Sequence, residues 1–328
     1  MKSSIEQYAI AREAEHWWAI GDAEEALVAL ERNRSEDIRD NLSRWLLWLP
    51  KFSERFGDYH PFTLKARHKL ASWFDAAGEV RKALTMYEQL LPDMERVLGK
   101  DDRTTLGIRS NIAACLGSVG DPEVALGLDE NLLNDRSRVL GPDHPDTLAT
   151  RNNIAVWTGM CRDSAQALSV SMSLLSDMTR ILGPNDISTL GARINVVHEI
   201  GKDNPRAALK LAKPLLHDLT RVLGTDHEET LRIRCHIAIF VSKIGAYQKA
   251  QKLFRALLSD QTRILGAGHP ETLITQSGMS EVLACLGDYR QALNIAQAAL
   301  DKLTQVLGEK HPETQNIMNN VIEWKSRI

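Results

Sequence analysis

Apolar residues along this chain recur at helical spacing, and no segment alternates apolar and polar positions as a half-buried strand does. An Ala-Leu pair returns as Ala83-Leu84, Ala125-Leu126, Ala167-Leu168, Ala208-Leu209 and Ala292-Leu293. A second apolar pair lies seven residues beyond, at Leu90-Leu91, Leu132-Leu133, Leu174-Leu175, Leu215-Leu216 and Leu257-Leu258. Such spacing marks one apolar face along a helix, here termed B. Ahead of each B helix lies an A helix, started in several copies by a proline with an acid beside it, as in Pro145-Asp146, Pro270-Glu271 and Pro312-Glu313. A glycine turn ends helix A at Gly78, Gly120, Gly245 and Gly287.

The helix pairs form a repeat. Leu64, Leu106, Leu148 and Leu190 lie 42 residues apart, Leu231 follows after 41 and Leu273 after 42. Gly57, Gly99, Gly141, Gly183, Gly224, Gly266 and Gly308 keep the same register. A chain of 328 residues would ordinarily suggest about two domains. The period replaces that expectation with about seven stacked units, each burying its faces against its neighbours.

Small residues narrow the repeat class. Helix A carries Ala71, Ala113, Ala155 and Ala238 at one position, and helix B carries Ala83, Ala125, Ala167, Ala250 and Ala292. With the linker phrase Leu140-Gly141-Pro142-Asp143-His144-Pro145-Asp146-Thr147-Leu148 and the following Arg151-Asn152-Asn153-Ile154-Ala155, this resembles the kinesin-light-chain type of tetratricopeptide repeat. That long variant is also found in bacterial regulatory proteins. The resemblance spans about Phe56 to Trp324 and implies an all-α, right-handed α-solenoid of antiparallel helix pairs. The expected organisation is a divergent, Trp-rich helical cap over 1–56, six repeats over 57–307, and a C-terminal half repeat over 308–328. Within the cap, Ile5 to Asn33 reads as a helix pair turning at Gly21-Asp22, and Asp37 to Arg55 as a divergent helix B. The unit from Gly183 has Asp186-Ile187 for His-Pro, Val197 for the small alanine, and one residue fewer. The unit from Gly99 has Asp102-Arg103, and that from Gly141 has Arg162 for the turn glycine, so a bend is expected near the middle.

Composition adds exclusions. The formal net charge is -3, and the arginines that recur with the repeat are balanced by 43 acids, so nucleic acid is disfavoured. No run of about 18 apolar residues appears and no export signal is visible, which points to a cytoplasmic protein without a membrane partner. Cys115, Cys161, Cys235 and Cys285 form no CxxC pair and read as reduced residues in or near helix packing. No P-loop, GxSxG or HExxH pattern is present, so an enzyme is not expected, and no cofactor is implied. Five histidines, His60, His144, His227, His269 and His311, sit in the linker phrase. Equivalent positions in stacked repeats are too far apart to share a metal, so they are read as shaping the turn. Arg67, Arg109, Arg151, Arg193 and Arg234 form one column and Arg96, Arg138, Arg180, Arg221 and Arg263 another; both are expected to pair with carboxylates of neighbouring repeats.

The sharper candidate is a helix A column reading Lys69, Asn111, Asn153, Asn195, His236, Gly278 and Asn320. The family resemblance implies that this column faces the concave groove, where asparagine bonds the backbone of a bound peptide. An asparagine side chain offers a donor and an acceptor together, which matches a peptide unit whatever its side chains. The alternative is that these amides bond a neighbouring helix. Asn152 and His198 lie beside the column and complete the candidate groove. Trp17, Trp18, Trp45 and Trp48 are either core between cap and first repeat or an exposed partner patch. The expected function is a non-catalytic scaffold or regulatory receptor for a protein or peptide partner. The alternative, which the resemblance implies, is a sensor or adaptor subunit of a bacterial signalling or defence assembly. The oligomeric state stays open.

Overall fold

The computed structural model describes residues 4–33, 35, 37–162, 164–309 and 311–327. Among them it holds sixteen helices and no strand. In chain order they are α1 (Ser4–Ile20), α2 (Ala23–Arg32), α3 (Ile38–Phe56), α4 (Pro61–Ala76), α5 (Val80–Val97), α6 (Arg103–Ser118), α7 (Pro122–Val139) and α8 (Pro145–Cys161). There follow α9 (Ser164–Ile181), α10 (Ile187–Asp203), α11 (Pro205–Leu223), α12 (Glu228–Lys243), α13 (Tyr247–Ile264), α14 (Pro270–Cys285), α15 (Tyr289–Val306) and α16 (Pro312–Lys325). From α4 onward the even helices are A and the odd ones B, an all-α solenoid of helix pairs. The chain divides into two compact units, Met1–Ile108 and Arg109–Ile328.

The linker phrase has a chemical explanation. At His60, His144, His227, His269 and His311 the imidazole Nδ1 accepts a hydrogen bond from the backbone N–H two residues on, at 3.1–3.2 Å. Each histidine is thus the N-cap of its A helix, satisfying one of the donors that a helix start leaves over. Asp102 and Asp186 stand in the same place and cap α6 and α10 through a carboxylate oxygen, at 2.8 Å from the N–H of Thr104 and Ser188. The units that lack His-Pro therefore keep the cap. Each linker glycine before the cap has a positive φ, 94° at Gly141, a region that costs any side chain strain.

The arginine columns do pair with carboxylates, but inside their own repeat rather than across to the next. Asp93, Asp135, Asp177, Asp218 and Asp260 on B each accept from the helix A arginine 25 or 26 residues earlier, at 2.6–2.9 Å. The same aspartates face the second column one turn on, Arg96, Arg138, Arg180, Arg221 and Arg263. The expectation of neighbouring-repeat pairing fails because A and B of one unit lie side by side and present both partners on one edge. Bonds from Arg109 and Arg151 hold the carboxyls of Asp135 and Asp177 below the usual range.

In Met1–Ile108 the tryptophans are mostly interior. Trp45 and Trp48 are buried, and Trp17 and Trp18 are half-buried. Trp18 meets Trp48, Phe52 and Phe56 edge-on at centroid distances of 5.7, 4.9 and 5.8 Å. With two indoles buried and two half-buried, the four do not make an exposed patch; Trp18 and Trp48 form part of an aromatic seam between α1 and α3, which extends through Phe56 and His60 to Phe62. In the cap, α2 rather than α1 takes an A-like place, because it packs against α4 as successive A helices do.

In Arg109–Ile328 each A helix packs on the B helices before and after it, and successive A helices α8, α10, α12, α14 and α16 also touch one another. No two successive B helices from α7 to α15 approach as closely among the described residues. A stack whose A side is closer spaced curves towards that side, which makes the A helices its concave wall. Glycines set the spacing. The Trp157 ring fills the place a Cβ would take at Gly117, Glu199 does so at Gly159, and Phe240 at Gly201. The residue missing from the Gly183 unit falls in the A–B turn, where Asn204 ends α10 and caps α11 through Ala207 N–H. One buried apolar cluster runs unbroken from Leu190 to Trp324, past that turn.

Candidate functional site

The residues expected in the groove separate into those the fold brings together and those it employs elsewhere. Lys69 lies in Met1–Ile108, where its Nζ is 2.8 Å from Glu31 of α2. Asn111, on α6, is half-buried. Asn153 hydrogen-bonds Asp129 of α7, a carboxyl with no exposed surface that also accepts from Trp157 Nε1 at 2.9 Å. Burial pushes Asp129 up to about 6, against the lowering effect of the bonds from Trp157 and Asn153 and of the Arg136 charge. The Asn153 amide thus acts on a buried carboxyl of the preceding helix.

Asn152, Asn195, His198 and His236 do come together on the concave wall. The Asn195 amide donates to Asn152 Oδ1 across α10 and α8 at 3.0 Å, and Asn195 Oδ1 accepts from Arg232 of α12 at 3.4 Å. One turn along the same helices, the His198 and His236 rings lie 4.8 Å apart. Three successive A helices therefore share a polar ladder of half-buried side chains bonded to one another. Half-buried side chains with both functions, held at fixed spacing, can exchange their mutual bonds for bonds to a polypeptide backbone.

Charge is graded along this wall. Glu228, Glu229, Glu271 and Glu313 lie in the first turns of α12, α14 and α16, where the helix macrodipole favours acids. Burial raises Glu228, Glu271 and Glu313, and their neighbouring carboxylates raise them further. At the other end Lys202 Nζ bonds Gly159 O at 3.0 Å and Lys243 Nζ bonds Gly201 O at 3.4 Å, each near the C-terminus of the preceding A helix. Burial lowers the pKa of His198 and lowers that of His236 far more. His198 keeps an open edge, yet the groove walls desolvate it.

Arg232 and the acids of this wall were not among the expected residues. Arg232 is held by Glu229 at 2.6 Å and occupies a place taken by Gly191 and Ile274 in the adjoining repeats. Residues that do not recur leave no mark in a period, so only its position one turn before His236 could have drawn notice. At the far end Asn316 and Asn320 both donate to Glu281, at 2.8 and 3.2 Å. Among the described residues no group of three or more His, Cys, Asp or Glu could hold a metal ion. Nor is any described helix long and apolar enough to cross a membrane.

Comparison with known proteins agrees with the fold. One tetratricopeptide repeat family model matches residues 229–305, and a second matches 63–103 and 105–146. No curated protein matches the chain in sequence. Among solved structures, NprR in complex with its cognate peptide NprX is similar at a TM-score of 0.58 and 13% identity, over 89% of this chain and 84% of that one. A Rap protein complexed with Competence and Sporulation Factor gives 0.54 and 11%, over 98% of each chain. A tetratricopeptide repeat protein from Parabacteroides merdae gives 0.50 and 12%, over 95% of this chain and 99% of that one. At such identities the likeness to these structures is one of fold, and the two family models place tetratricopeptide repeats in residues 63–103, 105–146 and 229–305 of the chain.

Proposed function

We propose that the protein is a non-catalytic interaction scaffold that holds an extended peptide segment against the concave wall of Arg109–Ile328. The observation that carries this reading is the ladder Asn152–Asn195–Arg232 with His198 and His236 beside it, which spans three A helices and is made of side chains suited to backbone recognition. NprR bound to its cognate peptide NprX and Rap bound to Competence and Sporulation Factor share the fold and lend it further support. The test uses the full chain as bait in an extract of its native cells. Asn152→Ala with Asn195→Ala should lose the co-purifying partner while helicity and melting temperature hold. Retention of the same partner by this double variant would reject the groove as its seat.

A further inference from the structure

Along the B side of Arg109–Ile328 some charges are left over once the core and the clamp are accounted for. On α7, Asp129 and Arg136 are buried and Asp135 and Arg138 belong to the clamp, which leaves Glu123 and Glu130, both exposed. On α9 the clamp residues Asp177 and Arg180 hold all the charge there is. On α11, Asp218 and Arg221 belong to the clamp, and Arg206, Lys210 and Lys213 remain exposed. Among the described residues none of these five makes an ion pair. Three neighbouring B helices thus run from acidic through neutral to basic across one outer face.

Successive repeats put equivalent positions at equal height. The buried columns Ala125–Ala167–Ala208 and Leu132–Leu174–Leu215 keep that register through α7, α9 and α11. In the same register the outer positions read Glu123–Ala165–Arg206, Gly127–Ser169–Lys210 and Glu130–Met172–Lys213. Each column has its centre on α9, where Met172 is 56% exposed. Gly127 also lines a cleft of about 300 Å³, and Glu123, Glu130 and Arg162 line it too.

We propose that this face binds a second copy of the chain about a two-fold axis running along α9. That rotation lays α7 of each copy over α11 of the other at the same height, so every contact is made twice. Glu130 then opposes Lys213 of the second copy, Glu123 opposes Arg206, and Met172 meets its own equivalent. Lys210 comes over Gly127, where the cleft offers it both glutamates. The face is convex, so the two copies touch at α9 and part on either side. The centre holds the short Ala165 and Ser169, and the flanks hold charged side chains long enough to reach across. Arg138 and Arg221 also come opposite each other, but each is held by its clamp aspartate and brings no unbalanced charge. Nucleic acid or an anionic lipid surface would meet Glu123 and Glu130 as like charges, whereas a second copy pairs them. The ridge lies on the side away from the concave wall, so the groove stays open in the dimer and the proposal does not depend on what the groove holds.

The experiment is sedimentation velocity on the full chain over a dilution series at low and high salt. A reversible dimer is expected, and salt should weaken it by screening the paired charges. Glu130→Lys and Lys213→Glu lie at exposed positions and should leave the melting temperature unchanged. Each makes two contacts repulsive, so each should weaken self-association by roughly tenfold or more. Both substitutions in one chain exchange the signs and should restore the dimer, as should an equimolar mixture of the two single variants. Met172→Asp, which sets two like charges on the axis, should abolish it. A chain that stays monomeric at every concentration in low salt would overturn the proposal. So would a dimer that ignores the single reversals, or one that the double reversal fails to restore, since its interface lies elsewhere.

Discussion

The linker histidine works as a hydrogen-bond acceptor. Because Nδ1 takes the backbone N–H, aspartate can replace it and alanine cannot. His269→Ala should therefore cost about 1 kcal/mol of stability, the usual loss on removing an N-cap, whereas His269→Asp should cost much less. Chemical denaturation of the two variants checks this. Asp129 gives a residue-scale prediction with a pH signature. Its folded-state pKa lies near 6, above the unfolded value of 3.8, so the folded form binds the proton more tightly. The ionised carboxyl thus destabilises the fold fully above about pH 6, and that penalty fades as pH falls to about 4. Asp129→Asn keeps an acceptor for Trp157 and removes the charge, so it should stabilise by about 2–3 kcal/mol at pH 7.5 and by little at pH 4. Thermal melts at the two pH values read the difference directly. Neither role was legible in the sequence beyond a turn-shaping histidine, since a cap shows only in geometry and Asp129 meets its partners on the next helix.

Among elements, the recurring columns were legible and their partners were not. The alanines at 71, 113, 155 and 238 are buried as small residues at a close helix crossing should be. The arginine columns were equally visible, but the period alone could not tell whether their carboxylates lay in the same unit or the next. The glycines at 117, 159 and 201 also recur every 42 residues, but the side chain that fills each space differs, Trp157, Glu199 or Phe240, and shows only in the fold. They decide how near successive A helices come, and so how the concave wall is built. Gly201→Ala should cost about 1–3 kcal/mol by overpacking against Phe240. In a double-mutant cycle Phe240→Ala should relieve part of that loss; strict additivity would show that the two do not share the space.

For the molecule as a whole, a repeat position has meaning only where its neighbour exists. The small-residue column ends in Ser280, fully buried, and then in Ile322, 64% exposed on α16. Ala238→Ile should disrupt the stack, whereas Ile322→Ser should change stability by less than about 0.5 kcal/mol, as at most surface positions. The same logic underlies the proposed function. Capping, clamping and packing residues recur with the unit and belong to the solenoid, while Arg232, His198 and His236 do not recur and mark one stretch of its inner wall. The most direct test of that claim is photo-crosslinking in native cells, with a benzophenone side chain placed in turn at Asn195, at Leu211 on a B helix, and at Ile322 on the last helix. Adducts to one foreign protein from position 195, with none to it from 211 or 322, are the predicted result. Adducts to it from 211 or 322 and none from 195 would contradict the claim.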